Sequence, residues 1–195
     1  MLQFKTSCLS QYSAPEQAQM AIEGGCRWIE LSSHEQSRPA ELRDEAVEII
    51  PLCTEKDTFM TIDHDINLVN ELKVHGVHLT PGDMLPKEAR EFLGPHAVIG
   101  VTVTTPDEVI ALKSADIDYV RVEGYPVVSL DDYRQFVGRV REAGVNIPIV
   151  ASGRITADDI KPLIETGISG ITISDAVVES TDPVAYMKRC LDLIN

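Results

Sequence analysis

A chain of 195 residues with 31 acidic against 17 basic side chains has the length of one domain, and its formal charge of −14 repels nucleic acid and anionic membranes. Its content, 44% hydrophobic and 25% charged, is that of a globular protein, and no apolar run approaches the roughly 20 residues that span a bilayer. Met1-Leu2-Gln3-Phe4-Lys5 lacks the basic flank and apolar stretch of a signal peptide, which points to the cytoplasm.

Apolar stretches that read as strands alternate with amphipathic ones along the whole chain. The strands are expected at Leu2–Lys5, Trp28–Leu31, Phe59–Ile62, Gly76–Leu79, Val98–Val101, Tyr119–Val122, Ile147–Ala151 and Gly170–Ile173. Between them, Pro15–Ile22 reads as a helix entered through Ser13, with Glu16 at the capping-box spacing. Pro39–Leu52 carries proline in its first turn. Ile66–Lys73 has Asp65 before it as a cap. Leu130–Ala143 sets Tyr133, Phe136, Val137 and Val140 on one face, Thr156 caps Thr156–Glu165, and Pro183–Ile194 ends the chain. Glycines at Gly24-Gly25, Gly144 and Gly167 close helices before the next strand. Strict alternation predicts parallel strands, and eight of them predict an α/β fold, a single (β/α)8 TIM barrel spanning residues 1–195 with short loops. An open doubly wound sheet is less consistent, because no GxGxxG turn follows the first strand.

In such barrels chemistry gathers where strands end, which directs attention to Lys5 and Thr6, then Glu30, Ser32 and His34, and then Asp63-His64-Asp65. His78, Thr80, Asp83, Thr102, Thr104, Arg121, Glu123, Ser152-Gly153-Arg154 and Ser174-Asp175 complete the set. Asp63, His64, His78 and Asp83 are residue types that suit a divalent cation, although Asp65 reads better as a helix cap, and Asp83 is open to either role. His78 alternates with Val77 and Leu79, so it faces inward as a ligand contact or as a hydrogen-bonded core histidine. Gly153 and Arg154 after the seventh strand, with Ser174 and Asp175 after the eighth, stand where many barrels bind phosphate. Asp175 opposes an anion there, and capping the following helix is its other reading. The four cysteines, Cys8, Cys26, Cys53 and Cys190, show no CxxC spacing and are expected as buried free thiols.

The stretch Ala18-Gln19-Met20-Ala21-Ile22-Glu23-Gly24-Gly25-Cys26-Arg27-Trp28-Ile29 resembles the first helix and second strand of the thiamine phosphate synthase family. Gly76-Val77-His78-Leu79, Val98-Ile99-Gly100-Val101-Thr102, residues 147–156 and residues 167–177 match that family's later blocks in order, and the thiazole tautomerases share most of them. The resemblance implies coupling of an aminopyrimidine pyrophosphate to a thiazole phosphate in thiamine biosynthesis, with magnesium bound and a small phosphorylated heterocycle as partner. It maps substrate contacts onto Glu30, Ser32, Asp63, His78, Thr102, Arg121, Gly153, Arg154, Ser174 and Asp175, and magnesium onto Asp83 and His64. The family's Gln-Leu-Arg-x-Lys stretch reads Glu30-Leu31-Ser32-Ser33-His34 here, and its lysine-bearing loop after strand six is missing. Two readings follow: a synthase without its pyrophosphate-binding cations, or an inactive paralogue that binds a small ligand or a partner protein. A homo-oligomer is left open.

Overall fold

Among the described residues, 1–32 and 39–194, the computed structural model closes eight parallel strands into a barrel in chain order, as the alternation predicts. The strands are β1 (Leu2–Lys5), β2 (Trp28–Leu31), β3 (Phe59–Asp63), β4 (Gly76–Leu79), β5 (Val98–Val103), β6 (Tyr119–Tyr125), β7 (Ile149–Gly153) and β8 (Gly170–Ile173). The register Leu2↔Ile171 through Phe4↔Ile173 seals β1 to β8 and removes both sheet edges. Helices α1 (Ala14–Glu23), α2 (Pro39–Glu55), α3 (Ile66–Leu72), α4 (Pro86–Leu93), α5 (Pro106–Ala111), α6 (Leu130–Glu142), α7 (Ile160–Ile164), α8 (Asp175–Val178) and α9 (Pro183–Ile194) accompany them. None of these is long and apolar enough to cross a membrane. His34 lies outside the described residues.

Local chemistry accounts for most boundaries. Ser13 and Glu16 exchange both capping-box bonds at the start of α1. Asp65 accepts the Leu68 N–H at 2.9 Å, the cap role expected of it. The α6 face of Tyr133, Phe136, Val137 and Val140 is buried, as its spacing requires.

The outward faces of the strands make the main core. Phe4, Ile29, Leu31, Ile62, Val77, Ile99 and Ile149 join Ala18, Ile49, Val69, Val140, Leu163 and Met187 of the helices in one cluster. Burying each large aliphatic or aromatic side chain contributes about 1.5–3 kcal/mol. The inward faces carry most of the buried polar and charged side chains, among them Gln3, Glu30, Thr61, Asp63, His78, Arg121 and Thr172. Inside the barrel, Trp28 of β2 meets Tyr119 of β6 edge-on at 5.4 Å, and the Thr172 hydroxyl of β8 donates to Gln3 Oε1 on the adjacent β1 at 2.6 Å.

Four expectations need correction. β7 begins at Ile149 rather than Ile147, because Pro148 has no N–H and joins the ladder only through its carbonyl, which accepts from Val120 at 2.9 Å. β6 continues past Val122 to Tyr125, with a bulge between the pairs Val122↔Ala151 and Tyr125↔Gly153. Asp175 is the first residue of α8 and Ser174 occupies the cap position, so Asp175 does not cap that helix. Cys26, Cys53 and Cys190 are buried, but Cys8, on the connection after β1, is exposed.

Where strands of the barrel approach most closely, a single methyl group is too large. A Cβ at Gly76 would stand 1.9 Å from the Val98 carbonyl oxygen, and backbone cannot rotate away as a side chain can. Gly76→Ala is expected to lower stability by about 1–3 kcal/mol, the usual cost of overpacking, read as a lower urea midpoint at unchanged slope. An unchanged midpoint would show that β4 and β5 are not held at this spacing.

Candidate active site

The barrel axis holds an ion pair. Arg121 of β6 reaches across to Glu30 of β2: Nη1 donates to Oε1 at 2.8 Å, Nη2 donates to Oε2, and both residues are fully buried. Nη2 also lies 3.5 Å from Gln3 Oε1. Burial alone would raise the Glu30 carboxyl, but the adjacent guanidinium, aided by Lys5, holds it well below the usual carboxylate range.

Above this pair sits Lys5 of β1, one-quarter exposed, with Nζ 2.6 Å from Asp63 Oδ2 and 3.5 Å from Glu30 Oε1. Burial opposes its charge, yet Asp63 and Glu30 outweigh that and raise its pKa. Asp63 is pushed up to about 7, first by burial and next by the negative Glu30, which together exceed the pull of Lys5. The Ser32 hydroxyl donates to Asp63 Oδ2 at 3.4 Å, and the Ser32 N–H donates to Thr6 Oγ1 at 2.9 Å. Glu30, Ser32, Asp63 and Arg121 are thus brought together, with Lys5 as the joining cation.

A second cluster forms on β4, β5 and β6. His78 is fully buried, with Nε2 2.8 Å from Thr102 Oγ1 and Nδ1 3.0 Å from the Tyr119 hydroxyl. Burial and then Arg121 hold its pKa well below the ordinary histidine value, so the ring is neutral. Tyr119 escaped the sequence reading, although it stands two residues before Arg121 on the same strand face. Lys5 stood among the strand ends, and only its closeness to two carboxylates shows its part.

The loops after β7 and β8 form a separate cavity of about 350 Å³, lined by Gly153, Arg154, Ile155, Thr156, Asp175, Ala176, Glu179 and Leu9. Ser174 stands beside it at the start of α8. The Arg154 N–H is donated to the Tyr125 carbonyl at 2.8 Å, and a Cβ at Gly153 would fall 2.3 Å from that same oxygen. Gly153 therefore admits the extended β6. Three anionic or cationic side chains remain for a ligand: Arg154, Asp175 and Glu179.

His64 and Asp83 pair on the far side of β4, His64 Nδ1 lying 2.8 Å from Asp83 Oδ2. That same oxygen accepts from the Thr80 N–H at 2.7 Å and from the Thr80 hydroxyl at 3.2 Å. Asp63 faces Lys5 instead of this pair. Among the described residues no group of three or more His, Cys, Asp or Glu side chains is gathered to hold a metal ion.

Comparison with known proteins places the chain among relatives. The thiamine monophosphate synthase family model matches residues 5–177. A thiamine-phosphate synthase of Bacteroides fragilis is 39% identical over 202 residues, covering 98% of both chains, and one of Phocaeicola vulgatus is 38% identical over 98% of this chain and 97% of its own. An alignment of 202 residues against a chain of 195 means that these relatives carry residues this one lacks. The thiamine phosphate pyrophosphorylase of Pyrococcus furiosus superposes with a TM-score of 0.87 over 99% of this chain and 94% of its own, at 24% identity.

Removing one partner of the axial pair strands a charge in a dry place. Glu30→Gln is expected to destabilise by about 3–5 kcal/mol, whereas Glu30→Gln combined with Arg121→Met recovers most of that loss. Denaturant midpoints of the two variants check this. Equal midpoints would show that Arg121 finds another anion.

Proposed function

The chain belongs to the thiamine monophosphate synthase family, and from that premise we propose that it binds a small phosphorylated heterocycle and couples aminopyrimidine pyrophosphate to thiazole phosphate only slowly. The observation that carries this reading is the pairing of Lys5 and Arg121 with Glu30 and Asp63. A departing pyrophosphate needs cations whose charge is not already met, since catalysis must stabilise developing charge more in the transition state than in the bound substrate.

The positions to which the resemblance assigns the family's pyrophosphate-binding cations support the same reading. Ser32 is buried against Asp63 and presents a hydroxyl in place of a guanidinium. After β6, residues 126–129 lead directly into α6, and none of them is a lysine. Each charge-assisted contact contributes roughly 1.5–3 kcal/mol, so three missing contacts slow the reaction by several powers of ten. Phosphate binding falls to Arg154, opposed by Asp175 and Glu179 across the cavity.

The resemblance implies magnesium, but the donors here do not suit it. Asp83 Oδ2 already accepts from Thr80 and contacts His64, and His64 offers nitrogen where a hard cation takes oxygen. Adding magnesium to the free protein is expected to leave its melting temperature unchanged. A rise that grows with magnesium concentration would reveal a site and overturn this assignment.

Incubating the chain and the Bacteroides fragilis relative side by side with both substrates and magnesium tests the function. Formation of thiamine phosphate is expected at a rate lower by several powers of ten for this chain, with substrate binding still measurable by calorimetry. Equal rates would overturn the proposal. Binding with no turnover would identify a paralogue that holds the ligand without joining it.

A further inference from the structure

A cleft of about 400 Å³ lies between the loop after β4 and the end of α5. Strand alternation sets it apart from the barrel axis. Leu79 pairs with Val101 in the register, and both point to the side opposite His78 and Thr102, as does Val103. These three buried side chains make an apolar floor. Ala111 and Leu112 close one wall, at the point where α5 ends, and the exposed Met84 and Leu85 overhang the other. Thr102, between the two valines, is the border toward the barrel mouth.

Protein interiors leave few voids larger than a water molecule, and an apolar cleft of this volume is of the size that takes a small ligand. Charge selects which one. Two carboxylates, Asp83 and Glu108, stand in the lining, and among the described residues no lysine, arginine or histidine does. Glu108 is held by neutral donors: the Thr104 N–H donates to Oε2 at 2.7 Å and the Thr104 hydroxyl to Oε1 at 2.9 Å. That N–H also lowers its pKa, so the negative charge persists. Asp83 is held through Oδ2, by the Thr80 N–H and hydroxyl and by His64.

A phosphate or a carboxylate in this cleft meets two like charges, and a bare metal ion meets hydrocarbon where it needs further donors. An apolar body that carries a positive charge suits both the floor and the rim. We propose that the cleft is a second binding site, for a small organic cation that lays an apolar ring on Leu79, Val101 and Val103 and sets its ammonium beside Glu108. The site lies on the outer side of the strands, away from the axial pair, and its test uses neither of the coupling substrates.

Calorimetry on the whole protein with three probes of one shape decides the matter: 2-phenylethylammonium, neutral 2-phenylethanol and phenylacetate. The cation is expected to bind at least about tenfold more tightly than the alcohol, the scale of one charge-assisted contact, and phenylacetate more weakly than either. Glu108→Gln keeps an oxygen to accept from Thr104, and is expected to abolish the preference for the cation while leaving the alcohol unaffected. Ala111→Trp sets an indole into the cleft from an exposed helical position, and is expected to remove binding of cation and alcohol alike. Equal affinity for cation and alcohol in the unaltered protein would overturn the proposal. So would cation binding undiminished in Ala111→Trp, which would place the ligand elsewhere, or no binding of the cation at millimolar concentration.

Discussion

A guanidinium buried on the axis of a closed barrel is shielded from water, so the charge of Arg121 has to be met from within the protein. Glu30 meets it from β2, and that carboxylate stays ionised because the cation is there. The two charges together leave little room for a third of either sign. Lys5 is tolerated because Asp63 faces it at 2.6 Å, and Asp63 in turn bears the cost of lying near Glu30. His78, in the same interior, stays neutral. Burial acts first on each of these three groups, and the Glu30–Arg121 pair acts on each of them as well.

This constraint also explains where the apolar core lies. A barrel interior filled by charged and hydroxyl side chains contributes little hydrophobic burial, so the outward faces of the strands and the helices carry it. The Trp28–Tyr119 contact is the interior's main apolar part, closing the barrel beneath the charges. Chemistry and stability are separated by strand alternation: successive residues such as Val120 and Arg121 serve opposite layers.

Much of the fold was legible because alternation and capping are local. Ser13 with Glu16, Asp65 before α3, and the buried stripe of α6 follow from neighbouring residues alone. Boundaries failed where a distant strand decided them. Glu123-Gly124-Tyr125 has the composition of a loop, yet Gly153 at the end of β7 and Arg154 just after it draw it into the sheet. The site was legible as a list of strand ends and illegible as a set of pairs. Arg121 and Glu30 are 91 positions apart, and no spacing rule connects them. Sequence resemblance could place Gly153 beside a phosphate, but no spacing rule reveals that the Tyr125 backbone packs against it.

The extension of β6 makes its connection to α6 difficult to lengthen. A longer loop inserted after Val122 would have to unzip Tyr125 from Gly153 before it could reach the mouth of the barrel. Gly153, with φ at 142° and no space for a Cβ, would then be a weak point in a strand that had lost its neighbour. Lengthening the connection therefore costs strand pairing before it gains a loop.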